Sequence, residues 1–359
     1  MKIFFKNIFI FLYKILQLFK IVINLFLSKK KDSINIFYGG ARSGNLGGPL
    51  VKADRLKSYF PEELNFNIIY LLSNGNYLNK LSINILKSNN FPIILNQNGV
   101  FYPSWHPKKW QQKNQIMAEI YHKADYVFWQ SNFCRKSADY FLGTRNLPGE
   151  ILYNSVDTKY KFFPKKSENR QFTFLITGKL TKDVFYRIKN SLDGFVTARE
   201  MGADFKLIIA GWLEKSIVLY INKFIKKFNL YDSLKLIGPY SQSEACQIYQ
   251  SADVYLTTKY LDPCPNSVIE AMACGLPIIY SNSGGIPELV GDKCGIGLDV
   301  PLDWKVIHVP KPLAIAESMH KICYNFEEMS FESRKRALEK FDLKKWIQRH
   351  EYIFKKFLK

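Results

Sequence analysis

The residues with the plainest chemistry lie in 262–291, DPCPNSVIEAMACGLPIIYSNSGGIPELVG. Pro265, Asn266 and Ser267 read as the first turn of a helix, because proline suits the first helical position and short polar side chains satisfy the free N–H groups there. Gly275 sits where a left-handed residue ends a helix, and Pro277 forbids its continuation. Between those stops the only acidic or basic residue is Glu270, set among Val268, Ile269, Ala271, Met272 and Ala273. A helix apolar on nearly all sides is a buried one, and a carboxylate on it is costly unless something hydrogen-bonds it. The vicinal diol of a ribose would satisfy both oxygens; a buried helix–strand unit with an internally satisfied glutamate is the plainer alternative. Residues 277–280 read as a short buried strand and 281–285 as a small-residue loop, after which Ile286, Pro287 and Glu288 open another helix. Bare backbone N–H groups at two neighbouring helix starts suit an anion such as a diphosphate.

Asp262, Glu270 eight positions on, the A-x-x-C-G-x-P run from Ala271 to Pro277 and the GG-x-x-E turn of Gly284, Gly285 and Glu288 together resemble the donor site of the retaining GT-B glycosyltransferases of family 4. The first acid is Asp where that family more often has Glu. The resemblance implies that Pro265, Asn266 and Ser267 line the phosphates of a nucleotide-sugar. It also implies that Glu270 holds the ribose and that Asp262, with the backbone after it, meets the sugar hydroxyls. Gly284, Gly285 and Glu288 complete the donor side. The same resemblance places two cations on the diphosphate after a strand at 172–177: Lys179 is the first, and Arg187, with Lys189 in reserve, the second. Backbone at Gly238 would hold the base, and Gly47 and Gly48, in the loop GGARSGNLGGP (39–49), would approach the diphosphate. His106 is the candidate beside the reacting sugar, with Asn98 as the other occupant of that place.

These residues need a scaffold, and the chain alternates strand and helix signals from residue 33 onward. Strands are expected at 34–38, 67–72, 92–96, 125–130 and 150–152, then at 172–177, 205–210, 234–237, 253–257 and 277–280. Helices are expected at 243–251, 313–324, 331–340 and 343–357. A βαβ rhythm of this kind implies parallel, doubly wound sheets. With the resemblance, the expectation is an α/β GT-B fold, two Rossmann-like doubly wound domains facing across a cleft, preceded by a basic amphipathic helix. The boundaries read from the chain are a membrane-associating helix (1–31), an acceptor-side domain (32–157), a lysine-rich linker (158–170), a nucleotide-sugar-binding domain (171–340) and a final helix (341–359) returning to the first domain. A chain of 359 residues is long enough for two cores.

Net charge is +20, and residues 1–31 hold seven lysines and no acid. No basic stretch coincides with a nucleic-acid-binding motif, which sets nucleic acid aside and favours an anionic membrane surface or phosphate-bearing substrates. Residues 3–28 are apolar but interrupted by lysine. At about 100° per residue, Lys2, Lys6, Asn7, Lys14, Gln17, Lys20 and Asn24 share one sector, the pattern of a helix lying in the headgroup region. A single span and a helix packed on the protein itself are the rival readings. Six scattered cysteines without a C-x-x-C pair fit a reduced compartment. The expected location is therefore the cytoplasmic face of a membrane, peripherally attached.

No Asp-x-Asp occurs in the chain, so cationic side chains and helix starts are expected in place of a metal, with no cofactor. The function these readings imply is transfer of a sugar, with retention, from a nucleotide-sugar donor to a surface-glycan or lipid-linked acceptor. The alternative is a non-catalytic nucleotide-sugar or glycan binder that kept the fold.

Overall fold

The structure is a computed structural model that describes residues 2–27, 33–44, 48–75, 77–164 and 171–358. It divides into two compact units, Met1–Tyr153 with Lys344–Lys359, and Asn154–Leu343.

The first unit opens with α1 (Lys2–Leu25) and continues through β1 (Ile36–Phe37), α2 (Gly48–Lys57), β2 (Ile68–Leu72), α3 (Lys80–Ser88), β3 (Ile93–Gln97), α4 (Trp110–Lys123), β4 (Tyr126–Trp129), α5 (Asn132–Leu142) and β5 (Gly149–Ile151). Its strands are parallel and run in the order β1-β2-β3-β4-β5. β2 and β3 are buried at every residue; β2 is an unbroken apolar run, as a strand inside a parallel sheet should be, whereas β3 ends in the buried polar pair Asn96 and Gln97. Ile69 pairs with Ile93 and Leu71 with Leu95. Local signals set the helix starts: the Asn79 side chain caps α3 at the Ser82 N–H, and Ser131 caps α5 at the Cys134 N–H.

The second unit holds β6 (Thr173–Thr177), α6 (Phe185–Glu200), β7 (Lys206–Ala210), α7 (Lys215–Phe228), β8 (Leu234–Ile237), α8 (Ala245–Gln250), β9 (Val254–Thr257), α9 (Asn266–Ala273), β10 (Ile278–Ser281), α10 (Ile286–Val290), β11 (Gly295–Leu298), α11 (Pro312–Tyr324) and α12 (Phe326–Lys340). Its sheet runs β11-β10-β9-β6-β7-β8, so the strand order reverses between β6 and β9. Phe174, Ile176, Leu207 and Ile209 of the strands pack with Ile188, Leu192 and Phe195 of α6 and with Ile315 and Met319 of α11. Each such side chain, once buried, contributes about 1.5–3 kcal/mol.

The last helix, α13 (Leu343–Lys356), belongs almost entirely to the first unit. There His350 meets the Tyr70 hydroxyl at 2.9 Å and Arg349 forks onto Glu150, with Nε 2.7 Å from Oε1. Besides shifts of a residue or two at element ends, the observed elements depart from expectation in three places. The strand expected at 34–38 shrinks to two residues, and the helix expected at 331–340 begins at Phe326. β11 was not anticipated, because two glycines in a four-residue stretch conceal its pairing with β10. Of the expected linker, 165–170 lie outside the described residues, and 158–164 fall in the second unit.

Candidate functional site

Ligands of open α/β sheets bind outside the carboxyl ends of the strands, where the strand order reverses. In the second unit that position lies between β6 and β9, and the segments that follow these strands carry most of the candidate residues.

After β9 the backbone turns at Leu261, a non-glycine residue with φ +52°, a conformation that costs energy and gathers at functional loops. Asp262 follows. One carboxylate oxygen accepts the Cys264 N–H at 2.9 Å and the other is ion-paired with Lys259. Its carbonyl accepts the Gly285 N–H at 2.8 Å. Gly284, at φ +68°, lies so close that a Cβ there would sit 2.5 Å from that carbonyl oxygen, so only glycine allows the two loops to meet. One amide expected to be bare, that of Gly285, is thus spent within the protein. Asn154 steadies the same turn, its side chain donating to the Cys264 carbonyl at 2.9 Å.

α9 then begins, one residue later than its sequence suggests: Pro265 is the N-cap and Asn266 the first helical residue. No side chain caps it, and Oδ1 of Asn266 is buried without a hydrogen-bond partner among the described residues. Ser267 is half-buried at the same end. The far end follows the sequence, with Gly275 at φ +79° and the Leu276 N–H returning to the Ala271 carbonyl at 3.0 Å.

Glu270 lies on this helix, only 7 % exposed. The donor that its burial demands includes the Tyr249 hydroxyl of α8, which gives Oε2 a hydrogen bond of 2.9 Å. Around this pair Thr177, at the end of β6, meets the Tyr255 hydroxyl at 3.0 Å. Burial first, and the Glu270 charge second, hold both Tyr249 and Tyr240 well above the ordinary phenol range, so these hydroxyls stay protonated and able to donate. Thr177 and the three tyrosines were not read from the sequence; their separations of 15 to 93 residues from Glu270 carry no local signal.

Gly178 and Lys179 follow β6. Lys179 is exposed, its ammonium 5.2 Å from the centre of the Trp212 ring. Arg187 rises from the first turn of α6 and is 5 % exposed. It donates to the Thr177 carbonyl at 3.4 Å, while its Nε is buried without a partner among the described residues. Lys189 is turned to solvent and pairs with Asp193 at 2.8 Å, so of the two cations considered for this place, only Arg187 stands at the carboxyl end of β6. A buried guanidinium with an unfilled N–H is a ready anion site.

Gly238 is exposed beyond β8, and a Cβ there would meet nothing within 4 Å. Glu288 is half-buried on α10, whose final carbonyls Arg336 clamps, Nη2 reaching the Glu288 oxygen at 2.8 Å. Among the described residues no three His, Cys, Asp or Glu side chains converge to hold a metal.

The remaining candidates lie in the first unit. Gly48 opens α2 and is exposed, and Gly47 lies outside the described residues. The His106 ring packs between Phe101 and Trp105, ring centres 4.8 and 4.9 Å away, and its backbone N–H donates to the Tyr102 carbonyl. Asn98 belongs to a buried polar cluster beyond the ends of β2, β3 and β4. The Lys52 ammonium donates to Asn96 Oδ1 at 2.7 Å and to Asn98 Oδ1 at 3.0 Å, and Gln130 joins the same oxygens. Lys52 escaped the sequence reading, since one lysine among 51 basic residues has no signature of burial.

Residues 157–308 match the family described as "Glycosyl transferases group 1". Over 106 residues the chain is 33% identical to a probable sucrose-phosphate synthase of Thermosipho melanesiensis, an alignment covering 28% of this chain and 22% of that protein. The chain therefore spans under a quarter of that relative's length. Among solved structures it is similar to the sucrose-phosphate synthase of Thermosynechococcus elongatus (TM-score 0.64, 16% identity, 86% of this chain and 77% of the other). It is likewise similar to Anabaena HepE in complex with UDP and glucose (TM-score 0.62, 15% identity, 86% and 81%). These likenesses show the fold, which is GT-B with an added apolar first helix.

Proposed function

We propose that the chain is a glycosyltransferase that moves a sugar from a nucleotide-sugar to a surface-glycan or lipid-linked acceptor. The observation that carries this reading is Glu270: a carboxylate buried on an apolar helix, held by a tyrosine hydroxyl, beside the reversal of strand order. The match over 157–308 spans this whole site, and the similar HepE structure contains UDP and glucose.

In this reading the ribose diol donates to Glu270. The diphosphate lies on the uncapped start of α9, with Asn266 and Ser267 beside it, and Arg187 and Lys179 compensate the charge that builds up as it leaves. Two cations and a helix start supply the charge stabilisation a metal would otherwise give, so no cofactor is required. The loop of Asp262, with Gly284 and Gly285, meets the sugar; Lys259 and the Cys264 amide fix the Asp262 carboxylate in position. In this reading no side chain acts as a covalent nucleophile. Retention then follows from attack on the face that the diphosphate leaves, with a departing phosphate oxygen taking the acceptor's proton. The enzyme works at the cytoplasmic face of a membrane.

The test is a panel of UDP-, GDP- and ADP-sugars offered to purified protein. Release of the nucleoside diphosphate with at least one donor is expected, and Glu270→Gln should weaken it. Tight donor binding with no release of diphosphate would instead make the chain a non-catalytic nucleotide-sugar binder.

A further inference from the structure

α1 is built the reverse way from a surface helix in water. The side it buries against the first unit is its polar sector, where Gln17 and Asn24 are 1 % and 0 % exposed beside Ile21. Asn24 exchanges two hydrogen bonds with the backbone of Phe66, its Nδ2 on the carbonyl at 3.1 Å and its Oδ1 receiving the N–H at 2.9 Å. The Tyr13 hydroxyl donates to the Gly40 carbonyl at 3.2 Å, and its ring meets Tyr77 edge-on at 4.9 Å. Gln17 lies so close to Gly40 that a Cβ there would come within 2.8 Å. The opposite side presents Phe11, Leu12, Ile15, Phe19, Ile23 and Phe26, all exposed, Phe19 by 63 % and Phe26 by 84 %.

Charge identifies what covers that face. Lys14 and Lys20 are half-buried and lie about 60° to either side of the docked stripe, the level that lipid headgroups occupy when the apolar side is immersed. Residues 1–31 carry no acid, and the chain is strongly basic. A second copy would set these lysines against like charge, whereas an anionic bilayer meets them with opposite charge. The segment Ile8–Leu25 is long and apolar enough to span. Spanning, however, would strip Asn24 from Phe66 and strand buried backbone groups.

We propose that α1 is an in-plane membrane wedge, clamped to the first unit by Tyr13, Gln17 and Asn24 and immersed in an anionic bilayer through its phenylalanine-rich side. The clamp lands on Gly40, just beyond β1. The start of the loop after β1, at Gly40 and at the end of the sheet where α/β ligands bind, is therefore held at the bilayer surface, and the acceptor is drawn from the membrane as a lipid-linked headgroup. This last step rests on the transferase reading; the docking of α1 does not.

The test uses the full chain and vesicles of phosphatidylcholine with or without phosphatidylglycerol. Wild type is expected to bind the anionic vesicles, with affinity falling as salt rises. The double variant Leu12→Glu, Phe19→Glu is expected to lose affinity on the order of tenfold or more, with thermal unfolding unchanged. Nitroxides at Ile8→Cys, Leu12→Cys, Phe19→Cys and Phe26→Cys should report one common depth. In donor assays the double variant should keep hydrolysis of the nucleotide-sugar and lose transfer to a vesicle-borne acceptor. Absence of donor turnover in wild type would remove the transferase reading and leave the vesicle result standing. Unchanged vesicle binding by the double variant, a depth gradient from Ile8 to Phe26, or vesicle-free dimerisation abolished by the same substitutions would overturn the wedge.

Discussion

Arg187 apart, each of the two sheets has a buried charged side chain near the ends of its strands, and these two are opposite in sign. In the first unit it is the Lys52 ammonium, which donates to the side-chain oxygens of Asn96 and Asn98. In the second it is the Glu270 carboxylate, which receives the Tyr249 hydroxyl. A buried ion survives only among groups of complementary hydrogen-bonding character, so amide oxygens surround the cation and phenols the anion. The sheets also differ in order. The second reverses between β6 and β9, and its anion lies beside that reversal; the first runs in sequence, and Gly40, just after β1, is braced by α1. The difference teaches that the second unit makes its site from topology, while the first recruits an added helix.

The sharpest way to break this comparison is at the ions themselves. Glu270→Gln should lower kcat/KM for the nucleotide-sugar on the order of a hundredfold, since charge-assisted hydrogen bonds are each worth about 1.5–3 kcal/mol. The loss should appear largely in the donor KM, with Tm little changed. Arg187→Met should act on the same scale but in kcat, whereas Lys189→Ala, on the solvent face, should leave both constants alone. Equal effects of the two cation substitutions in steady-state kinetics would dismiss Arg187 as the diphosphate partner.

A second comparison concerns pH. Burial pushes the His350 imidazole down to about 3 from its usual 6.5. Its Nδ1–H donates to the Trp346 carbonyl and its Nε2 accepts from Tyr70, so the folded state holds it neutral. The unfolded chain takes up a proton that the folded chain refuses, so this contribution is complete above about pH 6.5 and declines as pH falls toward 3. Denaturant unfolding across that window should show a loss of up to a few kcal/mol, in which His350→Phe flattens the slope. An unaltered slope in that variant would assign the acid sensitivity elsewhere.

The smallest effects are expected in the polar cluster and at the tyrosine. Lys52→Met removes the ammonium's two charge-assisted hydrogen bonds, with Gln130 still donating to both oxygens, and should cost about 1–3 kcal/mol in urea unfolding. Tyr249→Phe should cost about 1 kcal/mol or somewhat more. A Lys52→Met protein as stable as wild type would end the parallel drawn between the two buried ions.

Much of the site was legible along the chain because its signals are local. Pro265 and Gly275 with Pro277 bracket α9, an apolar run marks each central strand, and the turn of Gly284 and Gly285 follows from small residues in sequence. The boundary errors have physical causes: β11 gains its identity from pairing with β10, and β1 is cut to two residues by the same dependence on a neighbour.

What the amino-acid order determined by itself was therefore the set of elements, their caps, and the presence of an acid where no acid is comfortable. Only the folded chain decided which hydroxyl answers Glu270, that Arg187 and not Lys189 stands at the end of β6, that Asp262 is held by Lys259, and that the polar side of α1 faces inward. Local order governs hydrogen bonds within a turn or two. Partners brought together from distant segments depend on packing, and no spacing rule records them.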